Sequence, residues 1–351
     1  NPLLLTKLIL PMLLTSLGLA AGIAIGSPLA AEDVRSLVAQ LGARGASAAD
    51  REKAIAGLRS LAAGGQQVET TREATFALAE HFGRARHLDA SAIEAMNTAV
   101  SLYPSDGRAP ALLRKLGLAQ IEAGDAFSAH MSFANLLKSG APVESSLIVR
   151  AVVNAVEVGD MPTALDWSMR VVPSSVPAAD RDRLLGARLR AAGALGKADI
   201  AATAASELDA LSPDDWRSDP AALLAAARAE EALGRLESAA ARFAAFANIH
   251  TRHPDRPQAM LELGRIEARL GRTKLSRDAF DRLLREHAAS PAANLARLER
   301  LETDAAGLRP DAYVAAARAS AKATDPASAK AACYRLLQRL IGEGRPLEAV
   351  T

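Results

Sequence analysis

Seven glycines, Gly124, Gly159, Gly196, Gly234, Gly271, Gly307 and Gly344, recur at successive intervals of 35, 37, 38, 37, 36 and 37 residues. A chain with such a period is built from stacked copies of one small unit, each burying its apolar face against the next. Five residues after each glycine stands a small residue: Ala129, Ala164, Ala201, Ala239, Ser276, Ala312 and Ala349. Twelve residues after it come Leu136, Val171, Leu208, Phe246, Leu283 and Ala319, and nine after it Phe133, Phe243 and Phe280. This spacing predicts a helical hairpin. The glycine ends the first helix in the left-handed conformation, and the small residue lets the second helix approach closely. The later positions continue one apolar stripe at helical spacing. Pro104, Pro142, Pro173, Pro213, Pro254, Pro291 and Pro326 fall between the predicted hairpins, where a helix must stop.

The clearest units read Leu116-Gly117…Gly124…Ala129…Phe133…Leu136 and Leu263-Gly264…Gly271…Ser276…Phe280…Leu283. Ala92, Met96, Ala99 and Pro104 fit a further unit with His87 in place of the glycine. With these residues the chain from about 73 to 351 resembles the tetratricopeptide (TPR) family. It departs from the family in its longer period and in lacking an aromatic residue four before the glycine. Gln120, Ala155, Ala192, Glu230, Glu267, Thr303 and Leu340 stand there. Sel1-like and other TPR-like repeats therefore stay open. The resemblance implies an all-α, right-handed α-solenoid of about eight hairpins, the last incomplete. It also implies an extended surface for protein partners.

Composition supports helices. Half the residues are apolar, only 3% are aromatic, and the net charge is +2 with no clustered basic excess. That balance speaks against a nucleic-acid binder. Cys333 is the single cysteine, so intrachain disulfides and cysteine-based metal or haem motifs are excluded; we expect it to be a small core residue. Residues 3–25 are almost wholly apolar and long enough to span about 30 Å of hydrocarbon. The segment reads as a retained N-terminal transmembrane anchor, with a cleaved signal as the other reading. Lys7 near the start of the segment and Glu32 and Asp33 after it place the soluble part outside an inner membrane, in a periplasm or outside the cell. The organisation expected is thus an anchor over 1–30, a helical hairpin and polar linker over 31–69, and the repeat array over 70–351. The sequence starts at Asn1 without an initiator methionine and Val350-Thr351 stops in the middle of a predicted helix, so both ends read as trimmed.

No catalytic motif, P-loop or dinucleotide fingerprint is present. We therefore expect no enzyme and no cofactor. The pair His250-x-x-His253 has conceivable metal spacing but no third ligand, which favours a loop without metal. Trp167, Trp216, Tyr313 and Tyr334 read as packing residues. One pattern stands above background: Arg190, Arg228 and Arg265 lie six residues before three successive repeat glycines. The resemblance places that position on the groove side, where Arg183, Arg269 and Arg297 also fall. Paired N–H donors make arginine a reader of carboxylates, so an acidic peptide or helix is the partner expected. The other reading is a solvated face paired with Glu230, Glu231 and Glu267. The family's lysine- and asparagine-based carboxylate clamp is not reproduced. The function expected is a membrane-anchored scaffold or, alternatively, an accessory subunit of a large membrane complex. A helical-toroid enzyme would need an appended catalytic domain that the sequence lacks.

Overall fold

A computed structural model describes residues 31–64, 68–84, 88–212, 215–303, 314, 315, 318 and 326–342. The expected anchor lies outside them, as do His87, Pro213, Gly307, Ala312, Tyr313, Ala319, Gly344 and Ala349. Among the described residues there are sixteen α-helices and no strand, and no helix is long and apolar enough to cross a membrane. The chain falls into two compact units that divide within one helix, between Lys115 and Leu116.

The first unit contains α1 (Ala31–Gly42), α2 (Ala48–Ala63), α3 (Val68–Phe82), α4 (Ala90–Leu102) and the start of α5 (Ala109–Glu122). Helices α1 and α2 pack on each other as a hairpin. Ser47 caps α2 through a reciprocal pair, its hydroxyl accepting from Asp50 N and the Asp50 carboxylate accepting from Ser47 N. Its core, with Val34, Leu41, Ala54 and Leu58, runs on to Ala74 and Leu78 of α3. The first hairpin and α3 therefore share one core across the polar linker.

The second unit continues with α6 (Ala126–Lys138), α7 (Ser145–Glu157), α8 (Met161–Met169), α9 (Ala178–Ala194), α10 (Ala198–Leu211), α11 (Pro220–Ala232) and α12 (Leu236–Ile249). It ends with α13 (Arg256–Arg269), α14 (Thr273–Glu286), α15 (Pro291–Thr303) and α16 (Pro326–Gly342). Each of the five repeat glycines described here has φ between +66° and +83°. The residue after it returns a backbone hydrogen bond to the carbonyl five residues earlier: Asp125 to Gln120, Asp160 to Ala155, Lys197 to Ala192, Arg235 to Glu230 and Arg272 to Glu267, all at 2.8–2.9 Å. This bonding satisfies carbonyls that a helix end otherwise leaves orphaned.

The small residue five positions on has no exposed surface in any of these hairpins. Ala239→Leu should overpack α11 against α12 and lower stability by about 1–3 kcal/mol in a thermal or urea melt. A neutral result would place the hairpin contact elsewhere. In two first helices the close contact is reinforced by a second glycine. A Cβ on Gly117 would stand 2.7 Å from the Phe133 ring, and one on Gly264 would run into the ring of Phe280.

Two features depart from expectation. Cys333 is exposed on α16, and Tyr334 beside it is 60% exposed. The buried side of α16 is marked instead by Leu340, which has no exposed surface. Trp167 and Trp216 are buried as expected.

Candidate partner-binding face

Within the second unit, first helices pack directly on first helices: α7 on α9, α9 on α11 and α13 on α15. Second helices meet through long side chains such as Arg282, whose Nη1 donates to Asn248 Oδ1 at 2.8 Å. The six predicted arginines all lie on first helices: Arg183 and Arg190 on α9, Arg228 on α11, Arg265 and Arg269 on α13, and Arg297 on α15.

Their surroundings differ from a free cationic ladder. Arg190 Nε stands 3.6 Å from Asp219 Oδ2 of the next first helix. Arg265 reaches forward in the same way to Glu299 of α15 at 2.9 Å, and also contacts Glu262 at 3.3 Å. Arg269 reaches back to Glu231 at 3.2 Å. Arg183 is exposed, with Asp180 at 3.8 Å. Arg297 is exposed and donates to Asn294 Oδ1 and Ala288 O. Only Arg228, of these six, is exposed with no partner among the described residues. Arg190, Arg265 and Arg269 thus tie neighbouring hairpins together, answered by Asp219, Glu299 and Glu231. Glu230 and Glu267, which the sequence offered as surface partners, are buried inside their hairpins instead. Burial, with Glu262 nearby, raises the Glu231 carboxyl above its ordinary range, against the pull of Arg269 and Arg265.

Two of the predicted residues line a cavity of about 300 Å³ where α7, α9 and α11 meet. Arg183, Gly186 and Arg190 come from α9, Val153 from α7, and Trp216 and Asp219 from the lead into α11. Trp216 is fixed from behind: its Nε1–H donates to Asp209 Oδ1 at 3.2 Å, and the Arg242 guanidinium lies 5.2 Å from its ring centre. Asp219 is held as the cap of α11 by the backbone N–H groups of Ala221 and Ala222. Asp182 accepts from Ser212 Oγ at 3.2 Å, while its Oδ1 and Arg190 Nε are buried without hydrogen-bond partners. Gly186 leaves the floor open, since nothing lies within 4 Å of where its Cβ would stand. The lining therefore mixes both signs of charge with an apolar wall.

The histidine pair is accounted for by packing. His250 Nε2 bonds Arg217 O at 2.9 Å, His253 Nδ1 accepts from Asp255 N, and both rings lie against Phe246. No group of three metal-binding side chains occurs among the described residues. Sequence reasoning missed the buried arginines. Arg188 donates to Ser168 O and to Val171 O at 3.0 Å. Arg256 donates to Ala247 O at 2.7 Å and pairs with Glu286 at 2.6 Å. Arginine is so often a surface residue that nothing in its spacing marks these two.

Hairpins of two helices closed by a left-handed glycine, with a small residue one turn into the second helix, define a TPR-like helical-repeat protein. No protein-family profile matches the chain, and no curated protein matches it. Solved structures with repeats of this type are similar to it. A TPR protein from Parabacteroides merdae ATCC 43184 is 15% identical, with a TM-score of 0.36, over 72% of this chain and 91% of that one. YrrB, described as a TPR protein with an unusual peptide-binding site, is 14% identical, with a TM-score of 0.43, over 58% and 98%. PilW, a type IV pilus biogenesis factor, is 14% identical, with a TM-score of 0.29, over 77% and 99%. At these values the class rests on the hairpin geometry of the chain itself.

Proposed function

We propose that the protein is a non-enzymatic scaffold that docks a protein partner along the first-helix face of its second unit. The observation that carries this reading is the cavity at α7, α9 and α11, with its open floor at Gly186 and its incompletely bonded Arg190 and Asp182. Val153, Leu208 and Trp216 suit an apolar anchor side chain of the partner. Carboxylates elsewhere on that segment would meet the exposed Arg228 and Arg183, so an acidic peptide or helix remains the partner class. Residues 3–25 would tether the scaffold, with the repeats on the exocytoplasmic side. Salt-resistant retention in washed membranes tests that tether.

Gly186→Leu is the sharpest test of the face. Its Cβ meets nothing within 4 Å and the rest of the side chain enters the cavity, while removing a glycine from a helix interior gains up to about 1 kcal/mol. The melting temperature should hold or rise while partner capture is lost. Arg228→Glu should weaken capture in a salt-dependent manner at unchanged stability. Reversal of Arg190 or Arg265 is a poorer probe, because it sets like charges beside Asp219 or Glu299. Normal capture by Gly186→Leu would remove this face from consideration. Co-purification after mild detergent extraction separates an exchangeable client from the permanent neighbours of an accessory subunit.

A further inference from the structure

Two positions recur in the hairpins of the second unit: four before the loop glycine, and eight after it. Their side chains meet in α5/α6, where Ser132 Oγ donates to Gln120 Oε1 at 2.7 Å. They meet again in α11/α12, where Arg242 Nη2 lies 3.8 Å from Glu230 Oε1. Their polarity matches in four hairpins: Gln120 with Ser132, Ala155 with Trp167, Ala192 with Ala204, and Glu230 with Arg242. In α13/α14 it does not. There Glu267 is set against Ala279. Glu267 is 7% exposed, and its Oε2 is buried without a hydrogen bond. Its ion pair is with Arg272, whose Nη1 stands 3.6 Å away, beyond hydrogen-bond reach, whereas the equivalent Arg235 of the preceding hairpin comes to 3.4 Å from Glu230 and Arg242 adds a second cation there.

The missing side chain leaves a space. A cavity of about 250 Å³ opens between α12 and α14 over α13, lined among others by Glu267, Ala279, Asp278, Met260, Leu263 and Leu275. It is smaller than an ordinary small-molecule cleft and suits a single side chain. The preceding hairpin shows what fills the corresponding place: Arg242, nearly buried, with Asp209 at 2.8 Å and Glu230 beneath it. Arg282 at the rim is not the answering group, because it is held by Glu286 at 2.9 Å and by Asn248.

We infer that this cavity receives an arginine side chain from a protein partner, as a second docking point on the second-helix side. The guanidinium meets Glu267 and Asp278, and its stem runs over Met260, Leu263 and Leu275. Two carboxylates match the fork of an arginine, and apolar walls match its methylenes. The site is independent of the first-helix cavity.

The test is a titration of the full chain with N-acetyl-arginine N-methylamide, followed by the methyl signals of Met260, Leu263 and Leu275. The neutral citrulline analogue, of nearly the same shape, is the control. Blocked arginine should shift these signals saturably and less so in high salt, with citrulline at least about tenfold weaker. Glu267→Gln should lose the response while keeping its melting temperature. Ala279→Arg, which supplies a guanidinium from within as Arg242 does, should lose the response and melt higher. An equal response to citrulline, survival of the response in Glu267→Gln, or no response to arginine would overturn the assignment. Glu267→Gln decides the matter alone if Ala279→Arg does not fold.

Discussion

Replacing Arg256 by alanine should lower stability by about 3–4 kcal/mol, among the largest single losses available in the second unit. Arg256 is 5% exposed at the start of α13 and binds three groups that other helices present. Its Nε donates to Ala247 O near the end of α12, its Nη1 meets His287 Nε2 at 2.9 Å after α14, and its Nη2 pairs with Glu286 of α14. Truncation leaves a buried carbonyl without its donor and removes the link across three consecutive helices. Glu286 limits the loss, because it is partly exposed and keeps Arg282. Its carboxyl is held below the ordinary range by the hydrogen bond from Arg282 first, with Arg256 adding to it. Arg256→Lys should recover only part of the stability, since an ammonium cannot reproduce a fork aimed at several acceptors. A urea melt checks both variants, and a loss below about 1 kcal/mol for Arg256→Ala would show that the latch is dispensable.

The second large effect is a change of sign. Gly264→Ala should destabilise by about 1–3 kcal/mol, because its Cβ would enter the ring of Phe280, itself 1% exposed and unable to retreat. Phe280→Ala alone should cost about 3–5 kcal/mol through lost burial and a cavity. In that background the obstacle is gone, and Gly264→Ala should become stabilising by up to about 1 kcal/mol, the ordinary helix preference of alanine over glycine. A double-mutant cycle measures this directly. Additive losses would mean that Gly264 is there for a reason other than the ring. Gly117 and Phe133 should behave likewise.

Much of the hairpin was legible because its signals are local. A left-handed helix end strongly favours glycine, and Gly124, Gly159, Gly196, Gly234 and Gly271 all adopt it. The residue one turn into the second helix has no room, and Ala129, Ala164, Ala201, Ala239 and Ser276 are fully buried. The site was less legible. A fixed offset from the glycine put Arg190, Arg228 and Arg265 on equivalent positions, but offset says nothing of what stands opposite. Arg265 is answered by Glu299 and Arg190 by Asp219, each on another hairpin, whereas Arg228 is left exposed.

The repeat unit, its helical hairpin, its turn chemistry and its close-contact positions are all written locally in the chain. Each of these is set within about forty residues by backbone conformation and side-chain size. The tertiary structure alone decided which charged residues are buried and which are free. It made Arg188 and Arg256 internal latches, left Glu267 beside a cavity with Arg272 alone near it where Glu230 has both Arg235 and Arg242, and put Cys333 on the surface. The physical reason is that a charge is satisfied by whatever group the next hairpin brings within about 3 Å. That distance is fixed by the packing of one repeat on another, which the periodicity of a single chain does not record.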